Sequence, residues 1–122
     1  VGLAEPSRLI CDSAALSEGG RGFRFSVSRG DRTLPAFAIR YGGLVYAYLN
    51  QCAHVPVELD WVEGEFFEGT GLYLVCATHG ATYEPDTGHC VMGPCKGRRL
   101  TALEVTERDG GIFLMDGDQD HG

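Results

Sequence analysis

The chain has 122 residues, a formal net charge of −7, a pI near 4.9 and a hydrophobic share of 43%. That is one small domain, 1–122, with enough apolar content for a core, and its acidity offers no basic stripe to neutralise nucleic-acid phosphates. No stretch approaches the ~20 apolar residues of a membrane-spanning helix, and the odd count of five cysteines argues against a disulfide-stapled secreted domain. The expectation is a soluble protein of the reducing cytoplasm with no nucleic-acid or membrane partner. The start at Val1, not Met, leaves an upstream segment open.

The eighteen glycines are about twice the usual ~7% and favour short strands joined by tight loops. After a loose start, a helical turn is expected only at Ser13–Glu18. Apolar residues then alternate in Phe23-Arg24-Phe25-Ser26-Val27, the mark of a half-buried strand. Arg29-Gly30-Asp31-Arg32 reads as a turn. Ala36–Arg40 and Leu44–Leu49 flank Tyr41-Gly42-Gly43 as a hairpin. A short strand is expected near Glu65-Phe66-Phe67, then at Leu72–Val75 and Thr82–Glu84. Pro85-Asp86-Thr87-Gly88 is a turn. Leu103–Glu107 and Ile112–Met115 form a last hairpin across Asp109-Gly110-Gly111, and the polar tail from Asp116 frays. No long amphipathic helix, repeat or linker interrupts this pattern, which is all-β.

Two knuckles carry the chemistry. Cys52-Ala53-His54 follows the strand ending at Leu49, and Cys76-Ala77-Thr78-His79-Gly80 follows the run Leu72–Val75. Each brings one thiolate and one imidazole within a few residues, the donor set of a [2Fe-2S] cluster in which two His replace two Cys. Exchanging two charged thiolates for neutral imidazoles eases reduction, into a range of roughly −150 to +300 mV. Gly80, beside His79, lets the backbone approach the cluster. A tetrahedral zinc site would accept the same four donors, but zinc modules open on Cys-x₂₋₄-Cys, and a Cys-x-His opening is unusual for them.

Cys52-Ala53-His54, Cys76-Ala77-Thr78-His79-Gly80 and the later Gly88 and Gly93-Pro94 resemble the three marks of a Rieske [2Fe-2S] domain, from about Arg21 to Met115. The resemblance implies an antiparallel β-sandwich with a small cluster-binding subdomain, about 50–95, on a base built from the flanking segments. It implies Cys52 and Cys76 on one iron, His54 and His79 on the other near the surface, and a covering loop at Met92-Gly93-Pro94. Gly80, Ala81, Tyr83 and Pro94 would stand around the ligands, Tyr83 as a hydroxyl donor to a ligand sulfur or as a core aromatic.

Rieske proteins of the respiratory and photosynthetic complexes are similar in the knuckles but add a disulfide and a serine. Here those positions hold Val57, Thr78 and Ala81. The chain is more similar to soluble Rieske-type ferredoxins, which implies a one-electron carrier between a reductase and an oxygenase terminal component, with a potential in the lower part of the range. The alternatives are a non-catalytic accessory subunit similar to the small subunit of nitrite reductases, or a fragment of a larger Rieske oxygenase. Fewer than thirty residues follow the motifs, too few for an oxygenase catalytic domain, and the last hairpin and charged tail read as an end.

The remaining residues carry competing readings. Cys90 and Cys95 flank the proline loop and either pair or pack as reduced thiols, the latter preferred; Cys11 reads as structural. Trp61, Phe66 and Phe67 either form a docking patch or close a minor core. Lys96-Gly97-Arg98-Arg99 either meets an acidic partner or is a solvated loop. His89 reads as a surface residue of a turn, and His121 lies in the tail.

Overall fold

Among the described residues, alternation along the chain becomes ten short strands in three antiparallel sheets. The computed structural model describes residues 7–53, 57–60, 62–78 and 80–115. The strands are β1 (Ser7–Asp12), β2 (Phe23–Arg29), β3 (Arg32–Tyr41), β4 (Leu44–Leu49), β5 (Leu74–Val75), β6 (Thr82–Tyr83), β7 (Cys90–Met92), β8 (Ala102–Leu103), β9 (Val105–Arg108) and β10 (Gly111–Met115), with one 3-10 turn at Ser13–Ala15. Their spatial orders are β1-β10-β9, β2-β3-β4-β8 and β5-β6-β7.

The central sheet grows from a meander. Arg29 pairs with Arg32 around Gly30-Asp31, and Tyr41 with Leu44 around Gly42-Gly43, so two-residue turns fix the register. Side chains on a strand alternate between faces, and on β3 both faces are covered. Phe37 and Ile39 join a core with Leu59, Phe66, Leu74, Tyr83 and Leu100. Ala36 and Ala38 join another with Val27, Leu49, Ile112 and Leu114. All four of these β3 residues are fully buried, and burying Phe37 or Ile39 stabilises the fold by ~1.5–3 kcal/mol each.

Arg40 ties the base together. Its guanidinium donates to both carboxylate oxygens of Glu107 on β9, at 3.0 and 2.8 Å, and its Nε donates to the Leu16 carbonyl at 2.9 Å. That geometry is bidentate, with more directional hold than a single surface ion pair.

Several local expectations shift. From Ser7 the chain is paired, β1 lying against β10 with a register shift between Leu9 and Cys11; residues 1–6 lie outside the described residues. The helical turn shortens to Ser13–Ala15, with Asp12 in the cap position. The strand near Phe66 is only a bridge, Phe67 to Leu74, and pairing begins at Leu74 because Leu72 and Tyr73 face solvent. The run Leu103–Glu107 divides at Glu104, where the chain passes from β4's edge to β10's. β7 has no counterpart among the strands expected from the sequence. Phe66 lies in the main core, stacked on Phe37 with ring centroids 3.9 Å apart, so it is not part of a docking patch. Trp61, the tail and His121 lie outside the described residues. Among the described residues no helix is long and apolar enough to cross a membrane.

Candidate iron–sulfur centre

Both cysteines of the knuckles stand at strand ends. Cys52 follows β4 by three residues and Cys76 follows β5 directly. Backbone hydrogen bonds shape the turns: Cys52 N–H donates to the Val57 carbonyl at 2.8 Å, Cys76 N–H to Ala81 at 2.8 Å and Gly80 N–H to Cys76 at 2.8 Å. Ala77 N–H crosses to the Leu59 carbonyl at 3.0 Å, joining the second knuckle to the segment that follows the first. Cys52 and Cys76 are buried in one cluster with Ala81, Tyr83, Cys90 and Cys95. His54 and His79 lie outside the described residues, which hold the cysteine half of the site.

Tyr83, on β6, points its hydroxyl at this cluster. Its Oη lies 3.2 Å from Cys52 Sγ and accepts from Ala53 N–H at 2.9 Å. Cys95 Sγ donates to it at 3.3 Å. Either atom can donate across that contact; were Cys52 a metal-bound thiolate, it would have no proton to give and the hydroxyl would be the donor. Burial, then the bond to Cys52, pushes the phenol well above its ordinary value, so it keeps that proton. Tyr83 is therefore a fully buried core aromatic whose hydroxyl also stands within donating distance of a sulfur.

The proline loop packs over the second knuckle. Gly93 has φ +104°, and a Cβ there would lie 2.8 Å from Ala81 Cα. Only glycine permits both that dihedral and that approach. Gly80 also needs glycine, but for its φ of +73°; among the described residues no atom lies within 4 Å of where its Cβ would stand. Pro94, which follows Gly93, is exposed. Arg98, from the basic run, donates to the Ala53 carbonyl at 3.3 Å and so bridges the proline loop to the first knuckle. Lys96, Arg98 and Arg99 are exposed, as is His89.

Cys90 and Cys95 meet beneath this loop, Sγ to Sγ at 2.6 Å and without a disulfide. Burial, then the neighbouring Cys90, pushes the Cys95 thiol up to about 11. Cys11 is half-buried in the base core, and burial, then Asp12, raises its thiol.

Sequence reasoning missed a buried polar bracket. Asn50, fully buried, donates from Nδ2 to Asp60 Oδ1 at 3.0 Å and accepts from Leu59 N–H at 2.8 Å. Asp60 accepts from Gly64 N–H at 2.9 Å and lies 3.6 Å from Arg24 Nε. A lone amide at the end of the apolar run Leu44–Leu49 was the available signal. An open pocket of about 580 Å³, lined by Glu18, Arg21, Tyr41, Phe66, Phe67 and Leu72 among others, includes neither knuckle cysteine.

Two buried cysteines that follow short strands of an antiparallel β fold, with a tyrosine hydroxyl beside one sulfur, are donors that suit an iron–sulfur cluster in a protein of the all-β class. The sequence profile of the Rieske [2Fe-2S] domain matches residues 8–107, and the chain belongs to that family, whose cofactor is the Rieske-type [2Fe-2S] cluster. Comparison with curated protein sequences finds no match.

Among solved structures, the ferredoxin of carbazole 1,9a-dioxygenase from Nocardioides aromaticivorans IC177 is similar at 22% identity and TM-score 0.68, over 89% of this chain and 96% of that one. The Sphingomonas yanoikuyae B1 ferredoxin is similar at 19% and 0.70, over 91% and 99%. The terminal oxygenase of carbazole 1,9a-dioxygenase from Nocardioides aromaticivorans IC177 is similar at 21% and 0.68, over 97% of this chain but 32% of that one. These likenesses bear on the fold.

Proposed function

We propose that the chain is a cytoplasmic one-electron carrier, the ferredoxin component that takes electrons from a reductase and delivers them to an oxygenase terminal component, and not itself an enzyme. Cys52 and Cys76 would hold one iron of the [2Fe-2S] cluster and His54 and His79 the other, within a subdomain of about 50–95. The cluster, when bound, takes up and releases one electron. The chain's own residues tune that exchange: Tyr83 withdraws charge from the Cys52 sulfur, Ala81 and the core around Cys76 exclude water, and Gly93-Pro94 covers the second knuckle.

The observation that carries this reading is Tyr83 Oη on Cys52 Sγ, a donor placed where a reduced cluster gains charge. The fold of the two ferredoxins is matched over 96% and 99% of their chains, so everything their architecture uses has a counterpart in this domain. Anaerobic reduction followed by absorption and electron-spin spectroscopy tests it. The expected spectrum is that of a cluster with mixed His and Cys ligation, lost in His54→Ala and in His79→Ala. An unchanged spectrum in either variant removes that residue from the ligand set, and a colourless, spin-silent protein with zinc removes the reading. Reduced protein should also pass its electron to a terminal oxygenase.

A second reading has one observation in its favour. The terminal oxygenase matches as much of this chain as the ferredoxins do, so the same domain also suits the cluster-bearing part of a larger oxygenase. Immunoblotting of source cells separates the two, through a band near 13.2 kDa or one about three times larger.

A further inference from the structure

We propose that Cys90 and Cys95 form a redox-active dithiol, a modification site for a disulfide oxidant such as glutathione disulfide or a dithiol–disulfide exchange protein, and that its state is transmitted to the cluster through Tyr83. The second half rests on the function proposed above; the first stands on the pair alone.

The two sulfurs are 2.6 Å apart, inside the roughly 3.5–4 Å of ordinary nonbonded contact and beyond a disulfide's roughly 2.05 Å. Closing that gap needs little backbone movement, because the loop is already cinched. Cys90 is paired with Tyr83 in the β6–β7 ladder. Cys90 N–H donates to the Arg98 carbonyl at 2.8 Å, and Arg98 N–H donates to Cys95 at 2.8 Å. Both cysteines are buried, yet Met92, Gly93, Pro94, Lys96 and Gly97 around them are exposed, so a small loop opening admits an oxidant. Of the other cysteines, Cys52 and Cys76 are assigned to the cluster and Cys11 packs in the other core.

The step is thiol–disulfide exchange. One thiolate of the pair attacks the oxidant's S–S bond and releases one thiol; the second displaces the other half. Two electrons and two protons pass to the oxidant, which leaves as two thiols, and one S–S bond forms as another breaks.

Cys90 Sγ donates to the Met92 carbonyl at 3.3 Å, which leaves the Cys95 proton for Tyr83 Oη or for Cys90 Sγ. A hydroxyl that accepts hydrogen bonds is a better donor. Oxidation removes the Cys95 proton, so Tyr83 donates less strongly to Cys52 Sγ and the cluster becomes harder to reduce. Coupling is reciprocal: a reduced cluster holds the pair as thiols.

The test equilibrates the holoprotein in glutathione buffers of graded potential, quenches with an alkylating agent and reads peptides by mass spectrometry. The expected result is joint loss of alkylation at Cys90 and Cys95, with a mass two hydrogens lower, while Cys11 stays alkylated. Two alkylated cysteines throughout, or a stable glutathione adduct on one, overturns the dithiol. The cluster midpoint is then measured on both forms. It should be lower in the disulfide form, insensitive to the oxidant in Cys90→Ser, and insensitive in Tyr83→Phe although the disulfide still forms. An equal midpoint in both wild-type forms overturns the coupling. Absence of a cluster altogether overturns the proposed function and leaves the alkylation result standing.

Discussion

The Tyr83 hydroxyl lies 3.2 Å from the Cys52 sulfur and accepts the Ala53 amide at 2.9 Å, so the first knuckle is gripped by a side chain from β6. A hydrogen bond to a charged group contributes ~1.5–3 kcal/mol, and only the part that grows on reduction moves the potential. If that part is about 1 kcal/mol, Tyr83→Phe lowers the one-electron midpoint by about 40 mV. Voltammetry of the holoprotein measures it, and an unchanged or raised midpoint removes Tyr83 from the tuning of the site.

The absolute potential follows from what surrounds that bond. Ala81 is fully buried where a serine hydroxyl would reach the cluster in the high-potential proteins the sequence resembles, and Val57 and Thr78 cannot form a bridge. The expected midpoint lies in the lower part of the roughly −150 to +300 mV range. A value above about +200 mV, near the top of that range, would contradict these roles for Ala81, Val57 and Thr78.

Local chemistry made part of this legible in the sequence. Gly30-Asp31 and Gly42-Gly43 sit between alternating runs, so the β2-β3-β4 meander could be read off, and Cys52 and Cys76 announced themselves by spacing. β1 could not be read, because its partner β10 lies about a hundred residues away and Arg8-Leu9-Ile10-Cys11 shows no alternation. The division at Glu104 was hidden for a related reason: both halves have strand character, and only the partners, β4 and then β10, differ. The Cys95–Tyr83–Cys52 chain joins three separate loops and strands, and pairwise spacing along the chain carries no trace of it.

Asn50 holds the base of the first knuckle through the Asp60 carboxylate and the Leu59 amide. Asn50→Ala leaves a buried N–H without its acceptor and deprives Asp60 of a donor. With ~1–3 kcal/mol for each group left unsatisfied, the expected loss is about 3 kcal/mol in urea unfolding. Asn50→Asp should fare worse, because it sets a second carboxylate against buried Asp60, whose own charge faces Arg24 Nε at 3.6 Å. A loss below about 0.5 kcal/mol, the size of an ordinary surface substitution, would show the bracket to be idle.

Gly93 and Gly97 make a matched pair. Both have positive φ, +104° and +95°, but a Cβ on Gly93 meets Ala81 backbone at 2.8 Å whereas one on Gly97 meets nothing within 4 Å. Gly97→Ala therefore bears only backbone strain, of order 1–3 kcal/mol. Gly93→Ala adds a clash with the second knuckle and should lose iron and sulfide several times faster on incubation. Equal loss from the two variants would mean that the approach of the proline loop to Ala81 does not protect the site.

Glu107 links stability to pH through Arg40. The hydrogen-bonded guanidinium holds the Glu107 carboxyl below its ordinary value of 4.5. A carboxyl depressed in the folded state stabilises it above the unfolded pKa, and that contribution disappears as pH falls through the folded one. The gap in unfolding free energy between wild type and Glu107→Gln should therefore be complete at pH 6–7 and close progressively below about 4.5, as the wild-type carboxylate gains its proton. Because the Glu107 side chain is 32% exposed, solvent and salt screen the pair, so raising the ionic strength at pH 7 should narrow the same gap. Urea titrations of both proteins across this range measure it. A gap that stays constant down to pH 3, well below the ordinary carboxylate value, would show that the glutamine variant acts through packing on β9 and not through the charge facing Arg40.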